Sequence, residues 1–375
     1  MKRIVTFFLA VVTAVMFFGI SVFAEDTFSA AEEELSGITI PENAQEFIDD
    51  NDIGISEPDG VLELTPMAVI KAVWEEFLSA LAFPLKMLAS LIAVILVSSV
   101  MGGMGVAAKI GGMSRIYGVV GALVSVIVVS ECICTCVLIA SETLSLGGDF
   151  LLSYVPVFTG IIAACGGIST AAGYQLTVIA IAEIFTQTAS QLLMPMMTLC
   201  FCLAVVEAIN PTVSLSTVIE GIKKLATFLI GLFSTVFTGV LTLRSVVGTS
   251  ADTLTVKVGK YMTSNLVPIV GNAVSDAYST LRSSFGILRG GAGAFGIIVI
   301  VMTMLPALMS VAATMFCVFV GRATADLFAV KYISTFLKSV GDILAVVMSL
   351  LISFTMLFVI STAVVMTVGT TAGGA

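Results

Sequence analysis

Residues 225–243, LATFLIGLFSTVFTGVLTL, contain no charged side chain, and the chain repeats this kind of run often enough to leave few folds open. A run of that length matches the hydrocarbon thickness of a bilayer, ~30 Å at ~1.5 Å per helical residue. Inside lipid every backbone N–H and C=O must find its partner within the protein, and a helix supplies those partners segment by segment. Further apolar stretches lie at 85–106, 118–140, 174–209, 294–320 and 340–368. With 58% hydrophobic residues, 11% charged residues and a mean hydropathy of +1.13, a soluble globular domain is excluded. The expected fold class is an all-α polytopic integral membrane protein with about 7–8 membrane segments, some interrupted or re-entrant.

The chain divides by composition. Residues 1–24, MKRIVTFFLAVVTAVMFFGISVFA, have a basic start, an apolar run and small residues at Val22 and Ala24. This is the pattern of a secretory signal peptide, with an uncleaved first membrane helix as the alternative. Residues 25–65 hold 13 of the 25 carboxylates and no Lys or Arg, and read as an acidic, solvated, exported segment. The net charge of −9 is therefore local, and the remaining body is slightly basic, so the acidic balance does not speak for a nucleic-acid partner. The stretch DDNDIG at 49–54 fails as a calcium loop, because Ile53 and Gly60 occupy ligand positions. Residues 66–84 place Ile70, Val73, Trp74, Phe77, Leu78 and Leu81 on one side and Lys71, Glu75 and Glu76 on the other. They read as an interfacial amphipathic helix ending in a turn at Pro84. Residues 85–375 are the polytopic membrane domain.

Within that domain, KIGGMSRIYG joins two spans and carries Lys109 and Arg115 without an acid, which marks it as cytoplasmic. The second span is expected to leave the membrane at SETLSLGGD, before a Pro- and Gly-interrupted stretch at 151–172. Residues 174–209 are too long for one crossing and are expected to break near Pro195. If 151–172 crosses the membrane, Lys223 and Lys224 are cytoplasmic. If it is a re-entrant dip, Arg244, Lys257 and Lys260 are cytoplasmic instead. The dip is preferred because YVP at 154–156 and LVP at 266–268 then begin two inverted repeats, each followed by a further proline, Pro195 and Pro306.

Residues 266–293, LVPIVGNAVSDAYSTLRSSFGILRGGAG, hold Asn272, Asp276, Ser279 and Ser283 at helical spacing, with Arg282 and Arg289 seven apart. This amphipathic helix is either a headgroup-level surface element or a polar wall against water or a partner. Glu183 is an intramembrane carboxylate and a functional candidate by default. Chemistry is otherwise sparse. GAGAFG at 291–296 leads into a span and does not follow a strand, no phosphate loop is present, and the chain has no histidine. Cys132, Cys134 and Cys136 lie at i, i+2 and i+4, so on a helix the middle thiol points away from the others. Catalytic, cofactor-binding and metal sets are not expected, and neither is an enzyme.

Residues 242–280, TLRSVVGTSADTLTVKVGKYMTSNLVPIVGNAVSDAYST, resemble the stage III sporulation protein AE family of endospore-forming bacteria. The likeness is strongest in the spacing of Arg244, Asp252, Lys257 and Lys260 and in VPIVGNAVSDA. The resemblance implies a membrane subunit of the channel, or feeding-tube apparatus, between mother cell and forespore, lying in the mother-cell membrane around the forespore. It further implies partners from the same sporulation operon, including a cytoplasmic ATPase and intermembrane ring proteins, with the forespore Q protein opposite. It brings no catalytic residues. Asn272, Asp276, Arg282, Arg289, Arg244, Asp252, Lys257, Lys260 and Glu183 form the candidate polar pathway or docking set. An autonomous secondary transporter with a midplane binding site is the alternative. The signal-peptide reading has a direct check: sequencing the mature, membrane-inserted protein is expected to start at Glu25, and Met1 or Lys2 at its terminus would overturn it.

Overall fold

The computed structural model describes residues 40–50, 66–107, 113–165, 167–210, 215–266 and 271–368. The signal-peptide segment and most of the acidic leader lie outside these. The regular elements are helices: α1 (Glu42–Asp50), α2 (Pro66–Ala107), α3 (Met113–Ala164), α4 (Ile168–Thr188), α5 (Met194–Ile209), α6 (Ser216–Leu266), α7 (Gly271–Leu327) and α8 (Lys331–Val368). A π turn, Ala189–Leu193, fuses α4 and α5 into one rod. Among the described residues, six rods are long and apolar enough to cross a membrane.

Neighbouring rods alternate in direction. At one end Ser99 Oγ donates to the Phe328 carbonyl at 3.4 Å, and Gly121 packs on Ser98 and Ile333. The close of α2 and α7 therefore meets the start of α3 and α8. At the other end the start of α4 meets α6 near Gly248, and α7 near Arg289 meets the last turn of α8. Helices α7 and α8 form the centre, with 56% and 50% of their most apolar windows buried, against 22% for the peripheral α6. The α7–α8 turn closes with the Val330 N–H on the Ala325 carbonyl at 2.9 Å and Ala329 at φ 57°, the left-handed conformation that ends many helices.

Several sequence-based expectations are corrected. Pro84, Pro156 and Pro306 all lie inside helices and mark no turns. Each frees one carbonyl four residues back, which a membrane helix tolerates where neighbouring helices resatisfy it. SETLSLGGD and residues 151–164 are therefore the second half of α3, which neither turns there nor dips back. At ~78 Å, α3 is more than twice the hydrocarbon thickness. The 174–209 block bends at its π turn next to Pro195 and does not fold back as two antiparallel helices. Among the described residues six rods stand against the expected 7–8 segments, because 151–164 continues α3 and 168–209 is one rod. Of the repeat, Pro156 and Pro306 are mid-helix and Pro195 lies in the first turn of α5, while Val267 and Pro268 lie outside the described residues. Within the acidic leader, α1 is folded, with Ala44 and Ile48 buried one turn apart, and it packs on α7.

Two helices outrun the bundle. Asp252 sits against the first turn of α4 and Arg289 against the last turn of α8. Residues 253–266 of α6 thus run about 21 Å past the start of α4, and residues 271–288 of α7 about 27 Å past the α8 contact of Arg289, with α3 continuing ten residues beyond Tyr154 beside α7. Asn272, Asp276, Arg282 and Lys260 all lie on this projecting pair; their side chains fall outside the described set.

The end opposite the projection gathers Arg115, Lys223, Lys224, Arg322, Lys331 and Lys338, and the other half of the rods holds Lys71, Lys86, Arg244, Lys257, Lys260, Arg282 and Arg289, so the basic residues are evenly divided. With the acidic leader expected outside and α2 beginning next to it, the end with Arg115 is the expected cytoplasmic end. Reporter fusions after Lys224 and after Lys260 are expected to read cytoplasmic and exported respectively. The reverse pattern would restore the re-entrant arrangement.

Candidate functional site

The first N–H groups of α4 have no partner within that helix, and its cap residue, Gly167, offers no side chain. Asp252, reaching across from α6, fills the gap. Its two carboxylate oxygens accept from the Ser169 and Thr170 backbone N–H groups, each at 2.9 Å. A buried negative charge at a helix N-terminus is favoured by the aligned peptide dipoles as well as by the hydrogen bonds. Gly248, one turn before Asp252, makes the approach possible, since a Cβ there would lie 2.9 Å from the Thr170 Cα. Arg244, a further turn back, is exposed beside Gly173. The Arg244–Gly248–Asp252 stripe therefore locks α6 onto α4.

The matching lock lies between α7 and α8. Arg289 is buried, and its guanidinium donates to the carbonyls of Val365 and, at 2.6 Å, Met366. A cation on the last carbonyls of α8 complements the negative end of that helix. Immediately after Arg289, the run GGAGAFG meets α3. The Tyr154 hydroxyl donates to the Ala292 carbonyl at 2.8 Å, and the Tyr154 ring lies where a Cβ on Gly296 would stand. Phe150, Tyr154 and Phe158 stack along α3 with centroids 5.3 and 5.4 Å apart, and Phe358 and Tyr174 close edge-on. The nucleotide-like glycine pattern is thus a helix-packing surface.

Between these locks and the opposite end the interior is mainly apolar, with buried hydroxyls that include those of Thr177, Ser245, Thr303, Thr314 and Thr362. A cavity between α3, α4, α6 and α8 is lined by Leu151, Val178, Phe185, Phe237 and Phe354 among others, with Ser361 as its polar contributor. Cys132 and Cys136 are buried and share the Thr314 hydroxyl at 3.4 and 3.2 Å, while Cys134 is exposed, as the helical spacing requires. Near that opposite end, Lys223 pairs with Asp342 at 2.5 Å. Among the described residues, no group of three or more metal-ligating side chains occurs.

Several charges within the spans are displayed outward, whereas one carboxylate oxygen of Glu207 is buried. Glu131, Glu142 and Asp149 are exposed on α3, and Glu183 is exposed on α4, where it accepts a 2.6 Å hydrogen bond from Gln187. Steps of 11 and 7 residues bring the three α3 carboxylates within about 20° of one line along the helix. Of the sequence-derived set, Asp252 and Arg289 share one end of the bundle but serve different helix termini, and Arg244 and Lys257 are exposed on α6. Tyr154, Gly248 and Gly296 were not singled out, although aromatic and glycine residues at helical spacing were the available signal. Glu142 and Asp149 were hidden by their assignment to a loop.

Replacing Gly296 with Val is expected to destabilise the protein by about 1–3 kcal/mol through overpacking against Tyr154. Asp252→Ala should cost about 0.5–2 kcal/mol as a lost helix cap. Thermal unfolding in detergent, compared with wild type, checks both, and unchanged midpoints would refute the Gly296–Tyr154 packing and the Asp252 lock respectively.

The family model described as stage III sporulation protein AE matches residues 55–369. A curated relative, stage III sporulation protein AE of Bacillus subtilis (strain 168), is 22% identical over 162 residues, which is 43% of this chain and 41% of that protein. The chain is thus aligned with about two fifths of that relative's length. No solved structure matches. Since the family model spans most of the chain, including both helix locks and all six apolar rods, this protein belongs to the stage III sporulation protein AE family.

Proposed function

We propose that this protein is a membrane subunit of the channel apparatus between mother cell and forespore, lying in the mother-cell membrane that surrounds the forespore. Membership of a sporulation family supports the process. The observation that carries the molecular role is the placement of charge: the interior of the spans is closed by aromatic and aliphatic packing, while Glu131, Glu142, Asp149 and Glu183 face outward. An autonomous transporter needs polar groups converging on an internal midplane site. Here Glu131, Glu142, Asp149 and Glu183 diverge onto the outside, where lipid solvates carboxylates poorly and another protein or water does so well, while the inside keeps buried hydroxyls at Tyr174, Thr177, Ser245 and Thr362 and one Glu207 oxygen. The chain acts by assembly. Its partners are the other products of the sporulation operon, with a cytoplasmic ATPase at the end with Arg115. The ring proteins between the membranes meet the projecting α6–α7 pair, which holds the family-like stretch at 266–280.

Changing Glu142 and Glu183 together to Leu separates the readings. Lipid-facing carboxylates would be lost without harm, whereas an assembly surface would fail. Loss of sporulation at normal protein level is expected, and normal sporulation would remove the outward charges from the mechanism. In proteoliposomes the chain alone is expected to move no solute, and uptake without partners would favour the transporter.

A further inference from the structure

Helices α2 and α3 form an antiparallel hairpin whose outward sides carry opposite charges at matching heights. The contact of Gly121 with Ser98 fixes a common level near the closed end of the hairpin. Lys86 stands 12 residues before Ser98 and Glu131 stands 10 residues after Gly121, about 18 and 15 Å from that level. Lys71 and Asp149 stand 27 and 28 residues away, about 40 and 42 Å from it. All four side chains are exposed. Lys86 points away from the side of α2 that buries Met87, Leu91 and Ile95. Glu131 and Asp149 lie on the exposed line of α3. Among the described residues Lys86, Glu131 and Asp149 form no ion pair, and Lys71 meets Glu75 at 3.6 Å.

A lysine can extend toward a headgroup, but the shorter carboxylates at 131 and 149 have less reach. A face with both signs at equal heights is complementary to itself: a two-fold rotation about an axis parallel to the helices brings each lysine opposite an acid at its own height. Glu142, on the same line of α3, has no lysine at its height and Glu75 flanks Lys71, so the face keeps an excess of acid beyond the two matched pairs. Exposed Val97, Val100, Ile127 and Leu138 supply apolar area on the same two helices. We infer that the α2–α3 face binds a second copy of this chain, with Lys86 opposite Glu131 of the partner subunit and Lys71 opposite Asp149 of the partner subunit. The inference rests on the reading of the outer polar face as an assembly surface and names its first occupant.

The test uses full-length protein labelled with donor and acceptor dyes in bilayers, with dimer affinity read from energy transfer as lipid dilutes the protein. Wild type is expected to dimerise. Lys86→Glu and Glu131→Lys are each expected to weaken the dimer roughly a hundredfold, as for a desolvated charge facing its like, and the two changes combined in one chain should restore it. Lys86→Gln and Glu131→Gln should weaken it in the same direction and guard against a reversal variant that fails to insert. A wild type that stays monomeric, variants of unchanged affinity, or a double variant that does not recover would each overturn the inference. A monomeric wild type, together with sporulation lost on replacing Glu142 and Glu183, would sink the dimer and leave the assembly reading standing.

Discussion

Everything in this structure follows from the need to satisfy the backbone where water is absent. An unpaired amide in hydrocarbon costs several kcal/mol, so the chain carries its hydrogen bonds inside helices and breaks them as seldom as it can. That pressure outweighs local propensity. Pro84, Pro156 and Pro306 remain inside continuous helices, and the glycine pair Gly147–Gly148, a plausible turn in a soluble protein, lies within α3 and packs against α7, α8 and α4. The resulting rods are longer than a bilayer requires, and their length lets α6 and α7 reach beyond their neighbours.

Where helices must end, orphan backbone groups return, and two buried charges at one end of the bundle meet them. Asp252 supplies acceptors to the start of α4, and Arg289 supplies donors to the end of α8. Each charge is matched to the sign of the helix end it covers. This gives two residues of an apparent polar pathway a different role: they join helices end to side, and the burial that would make an isolated charge costly is compensated by the peptide groups themselves. Close packing then does the rest, with glycine at 248 and 296 allowing a backbone or a tyrosine ring to approach.

The interior is left with little chemistry to perform. Aromatic stacking on α3 and the apolar lining of the cavity between α3, α4, α6 and α8 fill the centre of the protomer, and Glu131, Glu142, Asp149 and Glu183 look outward. In water that arrangement would be ordinary. In a membrane it directs attention from the protomer to its surroundings, because the surface that lipid serves least well is the surface that another protein has most to gain by covering.

The sequence by itself determined the helical membrane class, the outward turn of Cys134, and the kinship carried by residues 242–280, while the expected spans fell inside rods that run well beyond them. These depend on side-chain character and on the helical period, which are local. Tertiary structure alone decided that residues 141–164 continue α3, that Lys223 faces Asp342 on α8, and that Asp252 and Arg289 close the ends of helices distant in the chain. A glycine or proline has one meaning where its freed carbonyl must find water and another where a neighbouring helix is pressed against it. A charge likewise reads as a pathway residue until the helix terminus it serves is in place. Those meanings depend on which rods lie side by side, and residues 83 or 119 positions apart carry no local signal of it.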